Sequence, residues 1–157
     1  MCIIFVSKFS FMGRIKNNRV VNEPPLFSSF KPIGVPGRSL DEILLSLDEY
    51  EAIRLADYHG FSHEEAADEM GVSRSTFSRL IVKSRKQLAT FLIQGKILKV
   101  DGGQVHFKNN VLRCNNCGYM FRRSIQVSLK KCPECNSENI ENFAGAYGHG
   151  HCCKDHN

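Results

Sequence analysis

Four cysteines in two closely spaced pairs constrain this chain more than any other feature. Cys114 and Cys117 form one Cys-x-x-Cys pair, Cys132 and Cys135 form a second, and fourteen residues separate the pairs. Two such pairs can bring four thiolates to the corners of a tetrahedron, as in a structural zinc site. The spacing predicts a small β zinc-ribbon module over residues 111–143 that holds Zn²⁺. Iron, bound in the manner of rubredoxin, is the main alternative for the same ligands.

The cysteine count and the absence of long apolar runs indicate the compartment. The chain has seven cysteines, an odd number, and four of them lie in the two pairs. In a reducing cytoplasm, such pairs point to a bound metal rather than to disulfides. No apolar run approaches the roughly 20 residues that a membrane-spanning helix needs, and none has the form of a secretory signal. We therefore expect a cytoplasmic protein without a membrane partner.

Histidine and cysteine are concentrated again in the tail, residues 144–157. The side chains that could bind a second metal ion are those of His149, His151, Cys152, Cys153 and His156. Such tracts bind Zn, Ni or Cu, whereas chain ends are also where disorder concentrates. An exchangeable second metal site and a flexible tail without specific binding are both left open.

Proline and glycine interrupt the first part of the chain. Four of the five prolines lie within residues 22–37, together with Gly34 and Gly37. Because proline cannot continue a helix, residues 1–37 are predicted to form an extended basic arm. A second break at residues 101–103 is a turn signal that separates a helical part from the cysteine-rich part.

Charge is strongly segregated along the chain, although the formal net charge is only +5. Residues 39–71 carry ten acidic residues and one basic residue, whereas residues 72–99 carry seven basic and no acidic residues. Solubility alone does not require this separation. The acid-free segment favours a polyanionic partner such as nucleic acid.

Serine, glutamate and glycine mark the helix ends between residues 38 and 107. A serine followed by glutamate three residues later has the spacing of a capping box, and glycine is a common helix stop. The residues that carry these signals are Ser46 with Glu49, Ser62 with Glu65, Ser73, Gly60, Gly71 and Gly95. The pattern predicts a mainly α domain of three to four helices over residues 38–107.

The last of these helices has an apolar face and a polar, basic face. The apolar face has residues at helical spacing: Phe77, Leu80, Ile81, Leu88, Phe91 and Leu92. A short helix and a glycine turn precede it, which is typical of a helix-turn-helix whose second helix enters the major groove. We expect the following residues to reach base edges: Arg74, Ser75, Ser78 and Arg79. We expect phosphate contacts from Lys83, Arg85, Lys86, Arg14, Lys16 and Arg19. An ordinary helix pair with a solvated basic face is the alternative.

This part of the chain also resembles a known family. The motifs are Phe30-Lys-Pro-Ile-Gly-Val-Pro36, Leu47-Asp-Glu-Tyr-Glu-Ala-Ile-Arg-Leu-Ala-Asp57, Ser73-Arg-Ser-Thr-Phe77, Gly95-Lys96 and Gly102-Gly103. They are similar to those of small, uncharacterised prokaryotic proteins that are predicted to bind DNA through a helix-turn-helix like region four of bacterial sigma factors. The resemblance spans about residues 12–107 and implies a DNA-binding role. It also implies that residues 1–11 precede the usual start of such proteins.

The sequence favours a binding protein over an enzyme. It contains no phosphate-binding loop and no convincing nucleophile with its base, so we expect neither catalysis nor a small-molecule substrate. The prediction is a transcriptional regulator that binds specific double-stranded DNA, with a homodimer left open. A regulator that senses metal at the tail is one alternative. Another is an adaptor whose zinc ribbon docks on a second protein while the basic helix binds nucleic acid without sequence preference.

Overall fold

The computed structural model describes residues 18–124 and 130–147. Helices and strands alternate irregularly along them. The elements are β1 (Arg19–Val21), β2 (Ser29–Phe30), a 3₁₀ turn (Gly37–Ser39), β3 (Glu42–Leu45), α1 (Leu47–Ile53), a π-helical turn (Arg54–Tyr58), α2 (His63–Glu69), α3 (Arg74–Gln94), β4 (Ile97–Val100), β5 (Val105–Phe107), β6 (Asn109–Cys114), β7 (Met120–Ser124), β8 (Ile140–Asn142) and α4 (Phe143–Ala146). None of the helices in these described ranges is long and apolar enough to cross a membrane.

The prediction of a mainly α fold is wrong. About 38% of the described residues are helical and 24% lie in strands, which form three sheets. Five strands accompany the helices within residues 18–107. They are two to four residues long, too short for an alternating pattern to stand out in the sequence, and their pairing depends on contacts between distant segments.

Two small sheets hold the ends of the helical segment together. In the first, β4 lies between β2 and β3: it pairs antiparallel with β2 and parallel with β3, so that Leu45 is opposite Val100. In the second, β1 pairs parallel with β5, with Val21 opposite Phe107. These four side chains are buried in one core with Leu47 of α1. Strands that precede the three helices therefore pair with strands that follow them, which brings the two ends of the helical segment together.

The predicted helix caps are confirmed. Ser46 precedes α1 and Ser62 precedes α2, and each forms the expected capping box with the glutamate three residues later. Ser73 caps α3, and its hydroxyl accepts a hydrogen bond from the Thr76 amide at 3.2 Å. These ends could be predicted because a capping box involves residues only three apart.

The α2 cap provides a direct stability test. The Ser62 hydroxyl accepts from the Glu65 amide at 3.3 Å, and the Glu65 carboxylate accepts from the Ser62 amide at 2.9 Å. We expect Ser62→Ala to lower the free energy of unfolding by about 1 kcal/mol, measured by urea denaturation followed by circular dichroism. Ser39→Ala is the control, because Ser39 lies in an exposed turn and its hydroxyl donates only to Pro36 O. Equal losses in the two variants would refute the capping role.

A second core joins the three helices. It contains Ala52 and Leu55, Ala66, Ala67 and Met70 from the α2 region, and Phe77, Leu80 and Ile81 of α3. Gly71 makes the turn between α2 and α3 with a φ of 63°. Leu92, which the helical stripe predicts to be buried, is instead 74% exposed. The stripe is correct near the start of α3 and fails at its last turn.

The cysteine-rich part forms the third sheet. Its central strand β6 pairs antiparallel with β7 on one side and β8 on the other. This sheet contacts the rest of the described chain: Arg122 on β7 forms an ion pair with Glu23 at 2.6 Å, and Asn109 donates to the Asn22 side chain at 2.9 Å. Ala144 of α4 is buried in the first core.

Candidate metal centre and candidate nucleic-acid surface

The four predicted cysteines converge. Their sulfur atoms all lie within 4.8 Å of one another, so the set could hold a metal ion. Cys114 Sγ is 3.5 Å from Cys135 Sγ, and Cys117 Sγ is 3.7 Å from Cys132 Sγ. Four sulfurs at the Zn–S distance of about 2.3 Å would lie about 3.8 Å apart at the corners of a tetrahedron. The measured separations therefore fit a tetrahedral metal ion.

Two similar loops present the sulfurs. The Gly118 amide donates to Cys114 O at 2.9 Å, and the Asn136 amide donates to Cys132 O at the same distance. Gly118 has a φ of 75°, and Asn136 has a φ of 57°, in the left-handed region that glycine and asparagine tolerate best. Each loop turns sharply just after its second cysteine. Asparagine therefore does in the second loop what glycine does in the first.

The thiols in this set differ in acidity. Backbone amides of Cys117 and Asn116 lower the pKa of Cys114 to about 6, by donating to its sulfur. The Tyr119 amide acts in the same direction on Cys117, but partial loss of hydration and hydrogen bonds with the neighbouring sulfurs outweigh it and raise the pKa of Cys117 to about 12. Four thiolates this close together repel one another, so all four are not readily deprotonated at once. A divalent cation among them would offset this repulsion, which makes the donor set suitable for a metal.

Three of the predicted nucleic-acid contacts are exposed side chains on α3. Arg74 and Arg79 lie on the first two turns of α3, and Lys86 lies two turns further along. None has an ion-pair partner among residues 18–124 and 130–147. Ser75, also exposed, is 3.1 Å from the capping hydroxyl of Ser73. Together they form the exposed α3 face: Arg74, Ser75, Arg79 and Lys86.

The other predicted contacts in the described chain are engaged within the protein. Lys83 Nζ lies 2.6 Å from the buried Glu49 carboxylate, and the Arg85 guanidinium donates to both oxygens of Asp57, at 2.7 and 3.2 Å. Ser78 is half-buried and hydrogen-bonds His63 at 3.0 Å. Arg19 is ion-paired with Asp48. The remaining predicted contacts, Arg14 and Lys16, lie outside the described residues, as do His149, His151, Cys152, Cys153 and His156 of the tail.

Buried carboxylates beside α3 are a feature that the sequence analysis missed. Asp48, Glu49 and Glu51 are 7%, 1% and 2% exposed. Asp48 and Glu49 line a cavity of about 340 Å³ that Arg79 and Lys83 also line. In the sequence these acids are noticeable only as members of the acidic segment, residues 39–71. Two features of the sequence could have indicated their burial. The acids lie between the apolar residues of α1, and Glu49 is the glutamate of its capping box.

The fold and the cysteine site define a small protein of mixed α and β structure that could hold one metal ion in a four-cysteine centre. The family model described as "Protein of unknown function DUF134" matches residues 9–108. A UPF0251 protein of Chloroherpeton thalassium is 47% identical over 132 residues, which cover 82% of this chain and 87% of that protein. The UPF0251 protein of Pelotomaculum thermopropionicum is 40% identical over 126 residues, covering 80% and 95%.

The chain therefore belongs to the DUF134 family of UPF0251 proteins. This confirms the expected membership of an uncharacterised prokaryotic family, and the matched range is close to the residues 12–107 over which the resemblance was seen. No solved structure matches the chain significantly.

Proposed function

We propose that the chain binds specific double-stranded DNA through α2 and α3, used as a helix-turn-helix, and regulates transcription. The observation that carries the proposal is the exposed α3 face. Its two arginines lie on the first two turns of a helix that a tight turn joins to α2, and neither has an ion-pair partner in the part of the chain that the structure describes. In a helix-turn-helix, the N-terminal turns of the second helix contact base edges in the major groove. Arginine there can donate two hydrogen bonds to guanine.

The packing of α2 against α3 supports this proposal. Ala66, Ala67 and Met70 are buried against Phe77, and the small alanines allow the two helices to approach closely. The same packing leaves Arg74 and Arg79 exposed. A helix pair whose facing apolar residues are buried and whose second helix begins with exposed arginines has the arrangement that groove binding needs.

The pairing of side chains refines the roles of the predicted contacts. Arg74, Ser75 and Arg79 are the proposed base readers, and Lys86 is a proposed phosphate contact. Lys83 forms an ion pair with Glu49, and Arg85 forms one with Asp57. These two cations therefore contribute less to DNA binding than their charge suggests. Ser78 bonds to His63 and stabilises the pairing of α2 with α3.

Zinc is the proposed occupant of the four-cysteine site, in a structural role. Four thiolates fill the coordination shell of a tetrahedral Zn²⁺, so no position is left for water or a substrate. The sheet formed by β6, β7 and β8 has only a small apolar interior, and the bound ion would join its two loops. The metal would thus stabilise the module that contacts the segment after β1.

Substitutions on α3 test the two kinds of contact. On a DNA fragment that the full chain selects from genomic fragments, Arg79→Ala is expected to weaken binding by about 1–3 kcal/mol and to relax one base preference. Lys86→Ala is expected to weaken binding to all sequences alike and to reduce the salt dependence by about one ion. The measurement is fluorescence anisotropy over a range of salt concentrations.

The matched control is Arg38→Ala, because Arg38 is an exposed arginine in the 3₁₀ turn rather than on α3. This variant is expected to bind like the wild type. If Arg79→Ala loses the same affinity on the selected fragment and on a scrambled one, its role in base reading is wrong. If Arg38→Ala loses as much as Arg79→Ala, the binding reflects net charge rather than the α3 surface.

A further inference from the structure

The four cysteines of the candidate metal centre differ in how well solvent reaches them. Cys117 is exposed and Cys135 is half-buried, whereas Cys114 and Cys132 are 0% and 1% exposed. The other residues of the first loop, at positions 115, 116 and 118, are exposed as well. Cys117 is therefore the member of the set that a small molecule in solvent reaches most easily.

A metal ion in this site would keep its ligands reactive as well as in place. Cysteine binds a metal as the thiolate, and the thiolate is also the nucleophilic form of the side chain. Oxidation by peroxides follows thiolate character and exposure. All four ligands have the first property in the metal-loaded protein, but Cys117 combines it with the greatest exposure.

We propose that Cys117 is a peroxide-sensitive site and that Cys132 is the residue with which it forms a disulfide. Cys132 Sγ lies 3.7 Å from Cys117 Sγ and belongs to the other loop. Cys114 is in contact with Cys135, at 3.5 Å between the sulfurs. A disulfide has an S–S distance of about 2.05 Å, so Cys117 and Cys132 need to approach by about 1.7 Å.

The reaction has two steps. The Cys117 thiolate attacks one oxygen of hydrogen peroxide, the O–O bond breaks, hydroxide leaves, and Cys117 becomes a sulfenic acid. The Cys132 thiolate then attacks the Cys117 sulfur, so that the S–S bond forms, the S–O bond breaks and a second hydroxide leaves. The two sulfurs together lose two electrons, which the peroxide gains, and the two hydroxides are protonated to water.

This disulfide would open the metal centre. It uses two of the four ligands, and the two that remain, Cys114 and Cys135, are too few for a closed tetrahedral site. The metal is therefore expected to be released as the disulfide forms, while the disulfide keeps the two loops joined. The inference rests on the proposed zinc site for its starting state, and it is independent of DNA binding.

Peptide mapping of the zinc-loaded full chain tests the pairing. The protein is treated with equimolar hydrogen peroxide, the remaining thiols are alkylated, and the chain is digested with trypsin and a glutamate-specific protease. This digestion separates Cys132 from Cys135, because Glu134 lies between them. The expected product is peptide 114–122 linked to peptide 132–134, with tandem mass spectrometry placing the link at Cys117. The zinc released to a chromogenic chelator is expected to equal the amount of this disulfide.

Two controls are matched to this reaction. Cys153→Ser removes a cysteine outside the four-cysteine set and is expected to give the same linked peptides. The metal-free chain, unfolded in guanidinium, is expected to give instead a disulfide within peptide 114–122, because short loops close most readily.

Several outcomes would overturn the proposal. They are a link to Cys135, a disulfide within peptide 114–122 of the folded protein, four cysteines that stay reduced, or the same link in the folded and the unfolded chain. Zinc content is measured before the peroxide is added, so that a failure of the proposed metal site is distinguishable from a failure of this inference.

Discussion

Chelation of the metal is expected to unfold the cysteine module while α1, α2 and α3 remain folded. The module consists of three short strands, and two of its most buried side chains, Cys114 and Cys132, are themselves metal-ligand candidates. Metal binding should therefore provide most of its folding free energy, on the order of 10 kcal/mol. In a two-dimensional NMR spectrum of the full chain, amide signals of β6, β7 and β8 should lose their dispersion on chelation.

Cysteine variants separate the structural site from the tail. Cys132→Ser is expected to produce the same loss of dispersion, because it removes one of the four ligands. Cys153→Ser is the control, since this cysteine lies outside the four-cysteine set. If the chelated protein kept the dispersed signals of β6, β7 and β8, a structural role for the metal would be wrong. If Cys153→Ser unfolded the module, the assignment of its ligands would be wrong.

Removal of the buried Glu51 carboxylate is expected to lower the free energy of unfolding by about 3–5 kcal/mol. Its two oxygens accept hydrogen bonds from the Arg54 guanidinium at 2.6 and 2.7 Å, and one of them also accepts from the Asn22 amide at 3.1 Å. Glu51 thus links α1 to the segment after β1. Glu51→Ala would leave the partly buried Arg54 guanidinium without its carboxylate partner. Urea denaturation of the metal-loaded protein measures the effect.

Glu42→Ala is the control for this experiment. Glu42 is exposed on β3 and has no ion pair with any residue in the described ranges, so its loss should change the free energy of unfolding by less than about 0.5 kcal/mol. Glu51→Gln keeps the size of the side chain and should lie between the two variants. A loss below about 1 kcal/mol in Glu51→Ala would show that the pair contributes little to stability.

Features that depend on neighbouring residues could be predicted from the sequence. The three serine N-caps, the glycine turn at Gly71 and the end of α3 at Gly95 all follow from side chains within a few positions of one another. The four-cysteine set was also predictable, because two Cys-x-x-Cys pairs together supply the four sulfurs of a tetrahedral metal site. For the caps and turns local geometry determines the structure, whereas the cysteines were recognisable from their ligand spacing.

Features that depend on distant contacts could not be predicted in this way. The parallel pairing of β3 with β4 joins segments that lie on either side of three helices. The burial of Glu51 and the pairing of Lys83 with Glu49 likewise depend on how β1, α1 and α3 pack. Sequence charge alone therefore gave the correct location of the basic helix but not which of its cations are free.

Sequence-specific DNA binding can be measured by selecting genomic DNA fragments with the metal-loaded full chain and then titrating the selected fragment and a scrambled one. We expect a common sequence to be enriched, with an affinity at least about a thousandfold higher than for the scrambled fragment. Arg74→Ala combined with Arg79→Ala is expected to remove most of this difference. Equal affinity for the selected and scrambled fragments would show that the chain does not bind specific DNA.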